Sequence, residues 1–215
     1  MPVDLSLYLV LDPALCGGLD GMLRVAAAAV RGGAGVVQLR APGWKKRQWL
    51  EAAQALLPVC RAGGAKLVVN DHLDVALLAA ADGVHLGQQD LPVAAARRLL
   101  GADALIGLSV SRPDQLAAVV PGVVDYLGVG PVYATATKPD ADPPCGVDGL
   151  AAIARATTLP VVAIGGIHAG NAALLRTAGA AGVAVVSAIC ASPDPARATR
   201  ALAAAWISPP WTAPV

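Results

Sequence analysis

Two kinds of segment alternate along the whole chain, and their hydrophobic patterns predict strands and helices in turn. Short runs rich in Val, Ile and Leu are bounded by residues that favour turns, whereas longer segments rich in Ala and Leu carry charges at helical spacing. Strands are predicted over residues 5–11, 36–40, 66–70, 83–86, 105–110, 126–130, 160–164 and 182–187. Helices are predicted over residues 19–31, 45–61, 73–80, 92–100, 113–120, 148–156, 171–178 and 193–206.

The strands are nearly continuous in apolar residues, which favours a parallel sheet covered on both faces. The runs near Val36, Val161 and Val183 show no alternation with polar residues. Eight units of about 27 residues, with no linker composition between them, predict an α/β fold made of a single (β/α)8 TIM barrel over residues 1–206. Residues 207–215, which contain several prolines, are expected to form a C-terminal tail.

A doubly wound open sheet is the alternative fold. It usually has fewer strands and a glycine-rich turn after the first strand. The segment in that place, Asp12-Pro13-Ala14-Leu15, supplies no such turn. The closed barrel is therefore favoured.

Composition and charge exclude several classes of protein. The 215 residues include 16 Lys and Arg against 15 Asp and Glu, so the chain lacks the positive charge that binds nucleic acid or acidic lipid. A hydrophobic content of 56% with 14% charged residues is typical of a folded protein with a large core. No apolar stretch of about 18 residues is free of charged or turn residues, so no membrane span is predicted.

The first residues and the cysteines indicate a cytoplasmic protein. Met1-Pro2-Val3-Asp4 lacks the basic region of a secretory signal. The four cysteines lie far apart and form no C-x-x-C pair, which disfavours a zinc site or a disulfide framework. Small molecules are the expected partners, and the sequence leaves a homo-oligomer open.

Polar residues and glycines lie at, or just after, the C-terminal ends of the predicted strands, where barrel enzymes place their active sites. They are Gln38, Arg40, Asn70, Asp71, Asp90, Ser109, Thr135-Ala136-Thr137-Lys138, Gly165-Gly166 and Val186-Ser187. In a chain with only 14% charged residues, several charges at one rim are more than solvation requires. We therefore expect an active site there.

Two carboxylates at this rim suit a magnesium ion. Asp71 and Asp90 end neighbouring strands, which lie about 4.8 Å apart in a sheet. Oxygen ligands without His or Cys are typical of Mg²⁺, which keeps part of its shell for water and substrate phosphate. Arg40 and Lys138 add the positive charge that a diphosphate requires. Helix capping by the aspartates and surface ion pairs of the two cations are the alternatives.

A second phosphate site is predicted on the other side of the rim. Gly165-Gly166 and Val186-Ser187 follow strands seven and eight, where many such barrels bind phosphate through backbone N–H groups. A simple tight turn is the alternative for the glycines. Two phosphate sites imply two ligands, and a joining reaction with diphosphate as leaving group follows as a hypothesis.

These motifs resemble those of the thiamine-phosphate synthase family. The matching segments are Gln38-Leu39-Arg40, Asn70-Asp71, Gly83-Val84-His85-Leu86-Gly87-Gln88-Gln89-Asp90, Gly107-Leu108-Ser109, Gly130-Pro131, Thr135-Ala136-Thr137-Lys138, Ile164-Gly165-Gly166-Ile167 and Val185-Val186-Ser187-Ala188-Ile189. They occur in order between about residues 5 and 206, on the predicted strand ends. The set is therefore much more specific than any single motif.

The resemblance implies a transferase that joins 4-amino-2-methyl-5-hydroxymethylpyrimidine diphosphate to a thiazole phosphate, giving thiamine phosphate and diphosphate. It implies that Asp71 and Asp90 hold Mg²⁺. The implied ligands of the pyrimidine diphosphate are Gln38, Arg40, Asn70, Ser109 and Lys138, and the implied thiazole-phosphate pocket consists of Thr135, Ala136, Thr137, Gly166, Val186 and Ser187. Diphosphate is expected to leave first, with charge stabilised by the catalytic residues Arg40, Ser109 and Lys138.

One position departs from the family pattern. The family usually has Lys two positions after the arginine of the second strand, and here that position is Pro42. Because proline carries no charge, we hypothesise that Lys45 or Lys46 reaches back from the next helix to the diphosphate. Weaker diphosphate binding is the alternative.

The three histidines are not expected to be catalytic. His85 lies within strand four and is expected in the core or behind the site, and His72 and His168 are expected in loops or helix starts. The related thiazole tautomerase typically has His two residues after the serine of strand five, where this chain has Ser111. A tautomerase-like relative, a non-catalytic barrel that binds thiamine phosphate and a sugar-phosphate enzyme are the alternative functions.

Overall fold

The computed structural model describes residues 3–138 and 142–207 and shows a closed barrel of eight parallel strands. The strands are β1 Leu7–Leu11, β2 Val36–Leu39, β3 Lys66–Asn70, β4 Gly83–Leu86, β5 Leu105–Val110, β6 Tyr126–Val129, β7 Val161–Ile164 and β8 Gly182–Val185. Each strand pairs with the next in the chain, and β8 pairs with β1, so the sheet has no free edge. The predicted TIM barrel is confirmed, and the open sheet is wrong.

Helices connect the strands and cover the outside of the barrel. They are α1 Pro13–Cys16, α2 Leu19–Arg31, α3 Lys46–Ala62, α4 Leu73–Leu78, α5 Val93–Leu100, α6 Gly146–Arg155, α7 Ala172–Thr177, α8 Ser187–Cys190 and α9 Pro195–Ile207. The longer helices bury residues at helical spacing, such as Met22, Ala26 and Ala29 in α2. This spacing is the pattern from which the helices were predicted. Among the described residues, no helix combines the length and apolar character needed to span a bilayer.

Two short helices were absent from the prediction. α1 and α8 contain four residues each, which is too few to show a helical repeat in the sequence. α1 forms because the Asp12 carboxylate accepts hydrogen bonds from the N–H groups of Ala14 and Leu15, at 2.8 and 3.3 Å, while Pro13 occupies its first turn. Short helices of this kind depend on their caps and on tertiary contacts rather than on periodicity.

Several predicted boundaries are corrected. The strand predicted through Ser187 is wrong at its end, because β8 stops at Val185 and Ser187 begins α8. The helix predicted over 113–120 is a 3₁₀ helix, Pro113–Ala118. The helix predicted over 148–156 begins two residues earlier, at Gly146, so Asp148 lies in its first turn.

The C-terminal tail stays a prediction, because nearly all of it lies beyond the part of the chain that the structure describes. Helix α9 extends to Ile207, and residues 208–215 lie outside the described residues.

The strands separate two buried regions, which we call the outer layer and the lumen. The outer layer lies between strands and helices and includes Leu9, Leu39, Leu67, Ile106 and Leu127 of the strands. The lumen is the inside of the barrel, where Tyr8, Val10, Val36, Val68, Leu105, Tyr126, Val162 and Ala184 pack together. Because side chains alternate along a strand, each strand contributes to both regions.

The lumen changes from apolar to polar toward the C-terminal ends of the strands. In β2, Val36 is followed at the next inward position by Gln38, which pairs with Val10 of β1. In β3 and β4, Asn70 pairs with His85. The polar end of the lumen forms the floor of the cavity described below.

Candidate active site

A cavity of about 830 Å³ opens at the C-terminal ends of the strands. It is lined by all but one of the predicted rim residues, namely Gln38, Arg40, Asn70, Asp71, Asp90, Ser109, Thr135, Thr137, Lys138, Gly165, Gly166, Val186 and Ser187. The exception is Ala136, which is exposed and does not line the cavity. The volume is within the usual range for a small-molecule site. Residues from seven strand ends, far apart in the chain, thus surround one space.

The acidic pair lies on one side of this cavity. Asp71 directly follows β3 in a left-handed backbone conformation, with φ of 58°, which its N–H stabilises by donating to the carbonyl of His85 at 2.9 Å. Aspartate tolerates this region better than most residues, and such conformations concentrate at functional sites. Asp90 follows β4, and its Oδ2 accepts a hydrogen bond from the Gly87 N–H at 2.7 Å.

The two carboxylates share one electrostatic environment with the two predicted cations. The pKa of Asp71 is raised to about 7, chiefly by burial and then by the neighbouring Asp90 carboxylate, whereas Arg40 and Lys138 act in the opposite direction. A raised pKa for a carboxyl group means that the ionised pair is unfavourable without more positive charge nearby. The four side chains therefore converge, as the sequence analysis expected.

This donor set fits a divalent cation with oxygen preference. Asp71 and Asp90 offer carboxylate oxygens, and a bound cation would offset both the burial and the repulsion by Asp90 that raise the pKa of Asp71. Within residues 3–138 and 142–207, no group of three or more His, Cys, Asp or Glu side chains is arranged to enclose a metal. A site of two carboxylates resembles those of Mg²⁺, which keeps several water or substrate ligands.

Positive side chains reach the cavity from three elements. Arg40 follows β2, and its Nη1 lies 4.0 Å from Asp12 Oδ2, with only 20% of the side chain exposed. Lys138 lies in the loop after β6 and is exposed. Arg112, which the sequence analysis did not single out, also lines the cavity. The signal for it was present, because Arg112 follows β5 in the same strand-end position as the other rim residues.

The two lysines proposed to replace the missing family lysine do not line the cavity. Lys46 Nζ instead donates to Asp74 Oδ1 at 2.8 Å and lies 2.8 Å from His72 Nδ1. Its neighbour Lys45 precedes α3, and its N–H donates to the side chain of Gln48. The hypothesis that Lys46 reaches the diphosphate is therefore not supported by this conformation.

Glycine is required at both positions of the turn after β7, by close packing and by the backbone conformation. Gly165 and Gly166 have φ of 102° and 63°. A Cβ on Gly165 would lie 2.6 Å from Pro131 Cα, and one on Gly166 would lie 2.7 Å from the Ala134 carbonyl oxygen. Larger residues would separate this turn from the loop after β6.

Three further residues complete this side of the cavity. The Thr137 N–H donates to Thr135 Oγ1 at 3.3 Å, which folds the loop after β6 back on itself. Ser187 begins α8, where the first N–H groups of a helix have no partner within the helix. Glycine turn, threonine loop and helix start together form a polar surface suited to an anion.

A chain of hydrogen bonds crosses the floor of the cavity. Gln38 Nε2 donates to the Tyr8 hydroxyl at 2.8 Å, and the hydroxyls of Tyr8 and Tyr126 are 2.8 Å apart. His85 Nδ1 lies 3.0 Å from the Tyr126 hydroxyl, and its Nε2 lies 2.9 Å from Ser109 Oγ. Burial lowers the pKa of His85 to about 4, so the ring is neutral at neutral pH. His85 thus lines the floor of the cavity, rather than lying behind it, and both of its ring nitrogens are within hydrogen-bond distance of protein groups.

The two tyrosines in this chain of hydrogen bonds were missed by the sequence analysis. Tyr8 and Tyr126 are each 1% exposed and occupy inward positions of β1 and β6. The available signal was a polar hydroxyl in an otherwise apolar strand. A second missed group is Ser111, whose hydroxyl donates to Asp142 at 2.6 Å and thereby joins the loops after β5 and β6.

Comparison with known proteins agrees with this geometry. The family model described as thiamine monophosphate synthase matches residues 7–189. The chain is 66% identical to a thiamine-phosphate synthase of Laribacter hongkongensis over 200 residues, which cover 93% of this chain and 94% of the relative. It is 49% identical to a thiamine-phosphate synthase of Azorhizobium caulinodans over 201 residues, which cover 94% of each chain.

Solved structures give the same result. A thiamine phosphate pyrophosphorylase from Pyrococcus furiosus superimposes with a TM-score of 0.84 at 32% identity, covering 95% of this chain and 96% of that one. A 3-hexulose-6-phosphate synthase, at 17% identity and a TM-score of 0.67, shares the fold alone. The resemblance inferred from the strand-end motifs is confirmed: this chain belongs to the thiamine-phosphate synthase family, the transferases of thiamine biosynthesis.

Proposed function

We propose that this chain condenses 4-amino-2-methyl-5-hydroxymethylpyrimidine diphosphate with a thiazole phosphate to give thiamine phosphate and diphosphate. Its family membership supports this reaction. The structural observation that carries the proposal is the meeting of two carboxylates and two cations in one cavity that also contains a glycine turn. The charged groups are Asp71, Asp90, Arg40 and Lys138, and the turn is Gly165-Gly166.

In this proposal Asp71 and Asp90 hold Mg²⁺. When bound, the metal neutralises charge on the diphosphate and so makes it a better leaving group. Arg40 and Lys138 bind the same diphosphate from the protein side. Arg40 is largely buried and lies near Asp12, which limits the freedom of its guanidinium before substrate binds.

The reaction breaks the bond between the pyrimidine methylene carbon and the diphosphate oxygen, and the electron pair leaves with diphosphate. Arg40 and Lys138 stabilise the negative charge that grows on this oxygen. The thiazole nitrogen then gives its lone pair to the methylene carbon and forms the new C–N bond. No protein nucleophile takes part in this scheme, and none of the four cysteines lines the cavity.

The two substrates occupy different sides of the cavity. The pyrimidine lies over the floor, with Gln38, Asn70 and Ser109 as its polar contacts. The thiazole phosphate lies against the glycine turn and the start of α8, with Thr135, Thr137, Gly166, Val186 and Ser187 around it. Ala136 is left out of this pocket because it lies outside the cavity lining.

Diphosphate release tests the proposal. The purified chain is incubated with each substrate alone and with both, with and without Mg²⁺. Release is expected only with both substrates and the metal, and Asp71→Asn or Asp90→Asn should lower the rate by at least about 100-fold. Asp74→Asn is the matched control, since Asp74 is an exposed carboxylate paired with Lys46 away from the cavity.

Two results would contradict this function. Full activity of both acidic variants without metal would overturn the metal assignment. Saturable binding of thiamine phosphate without any diphosphate release would instead support a non-catalytic barrel, which is the second candidate because Pro42 replaces a charged residue of the family pattern.

A further inference from the structure

We propose that the five side chains on the cavity floor form one hydrogen-bond chain with a fixed direction, and that this direction selects the heterocycle that binds. The chain consists of Gln38, Tyr8, Tyr126, His85 and Ser109. Tyr8, Tyr126 and His85 are then positioning residues, which set the orientation of the two end groups. The identity of the heterocycle rests on the proposed function, whereas the direction of the chain does not.

The direction follows from the first link. Gln38 Nε2 donates to the Tyr8 hydroxyl oxygen, so this oxygen is already an acceptor. Tyr8 is 1% exposed, and its proton requires an acceptor because an unpaired buried hydroxyl is unfavourable. The Tyr126 hydroxyl, 2.8 Å away, supplies that acceptor. Tyr8 therefore donates to Tyr126.

The same reasoning carries the direction to the other end. The Tyr126 hydroxyl accepts from Tyr8, so its own proton goes to His85 Nδ1 at 3.0 Å. A neutral imidazole that accepts at Nδ1 carries its proton on Nε2. Nε2 therefore donates to Ser109 Oγ at 2.9 Å, and the Ser109 proton is left to point into the cavity.

The rings that form the middle of the chain are fixed by space as well as by hydrogen bonds. Gly107 and Gly128 occupy inward positions of β5 and β6, opposite these rings. A Cβ on Gly107 would overlap Tyr126 Cζ and His85 Nδ1, and one on Gly128 would lie 2.8 Å from His85 Cε1. Two glycines thus make the room in which the imidazole and the phenol meet.

The consequence is a floor with an acceptor at one end and a donor at the other. One N–H of Gln38 Nε2 donates to Tyr8, which fixes the orientation of the amide, and the amide oxygen is the acceptor left to bind a ligand. This oxygen requires a donor, such as the amino group of an aminopyrimidine. A 4-oxo pyrimidine would place an acceptor against it, and a site built for one pattern rejects the other strongly.

The first experiment determines the tautomer of His85 directly. ¹⁵N-labelled histidine in the full chain gives ring nitrogen resonances, which His85→Gln assigns among the three histidines. We expect Nε2 to be protonated and Nδ1 to be unprotonated at pH 7.5. Protonation at Nδ1 would reverse the chain and overturn the proposal, whatever reaction the protein catalyses.

The second experiment measures specificity. Affinities for the 4-amino pyrimidine diphosphate and for its 4-oxo counterpart are determined by calorimetry for the wild type and for Tyr8→Phe. We expect the wild type to prefer the amino compound by at least about 100-fold. In Tyr8→Phe the Gln38 amide loses the acceptor that orients it, so this preference should fall at least tenfold.

Two controls separate positioning from general damage. Tyr133→Phe removes the hydroxyl of the remaining tyrosine, which does not line the cavity, and should leave the preference unchanged. Tyr126→Phe interrupts the same chain, so combining it with Tyr8→Phe should change the preference less than the sum of the single effects. An unchanged preference in a folded Tyr8→Phe variant would overturn the proposal, whereas selective binding without turnover would overturn only the proposed function.

Discussion

The outer layer and the lumen are built from alternate residues of the same strands, yet they differ in chemistry. The strand residues of the outer layer are apolar and pack against the helices, as Leu67 and Ile106 do. Toward the cavity the lumen contains hydrogen-bonded polar side chains, including Gln38, which is only 5% exposed. Apolar packing tolerates many sequences of suitable volume. A buried chain of hydrogen bonds, by contrast, requires every donor and acceptor to be present.

The comparison implies that the two regions respond differently to substitution. Changes in the outer layer should lower stability and leave catalysis intact. Changes at the polar end of the lumen should lower activity more than stability. The following variants test this division.

Arg40→Gln is expected to have the largest effect. Loss of the guanidinium removes a cation that stabilises the leaving diphosphate, so kcat should fall by about 100- to 1,000-fold. Diphosphate release measures this change, and urea unfolding measures stability. A variant that lost stability as severely as activity would place Arg40 among the structural residues instead.

Leu56→Ala tests the outer layer. Leu56 of α3 is fully buried, so its truncation should lower the free energy of unfolding by about 2–5 kcal/mol. The kcat/KM of the folded variant should stay close to that of the wild type. Leu77→Ala is the control, because Leu77 is 53% exposed and should tolerate truncation with little loss.

Gly107→Ala should lower both stability and activity, so it should not follow the division between the two regions. The added methyl group overlaps the rings of Tyr126 and His85, and overpacking of this kind costs about 1–3 kcal/mol. Because the same rings orient Ser109, the KM for the pyrimidine diphosphate should rise as well. Unchanged stability together with unchanged KM would show that these rings are not tightly packed.

Asp12→Ala should have a smaller effect on stability. Asp12 caps α1 through two backbone N–H groups, and loss of such a cap costs about 1 kcal/mol. Asp103→Ala, at an exposed position, is the matched control and should unfold like the wild type. Equal midpoints of urea unfolding for the two variants would contradict the capping role.

Lys46→Ala should have the smallest effect. Its ion pair with Asp74 is exposed at both ends, and such pairs contribute less than about 1 kcal/mol. Because Lys46 does not line the cavity, the KM for the pyrimidine diphosphate should not change. Lys45→Ala is measured beside it, and a raised KM in either variant would restore the hypothesis that one of these lysines replaces the missing charge at Pro42.

Much of the fold and of the cavity could be predicted from the sequence. Apolar runs and helical spacing located all eight strands, and the rule that barrel sites lie at the C-terminal strand ends located residues such as Asp71, Asp90 and Lys138. These predictions succeeded because periodicity and position at a strand end are local properties of the chain. The short helices α1 and α8 were not predicted, because four residues are too few to show a helical repeat.

Only the tertiary structure decided which side chains meet. Tyr8 and Tyr126 are 118 residues apart in the chain, and nothing in either local sequence shows that their hydroxyls share a hydrogen bond. Tertiary contacts likewise turned Lys46 toward Asp74 and left Ala136 outside the cavity. Order and type of elements follow from short-range patterns, but hydrogen bonds across the lumen depend on closure of the barrel, which brings distant strands to atomic distance.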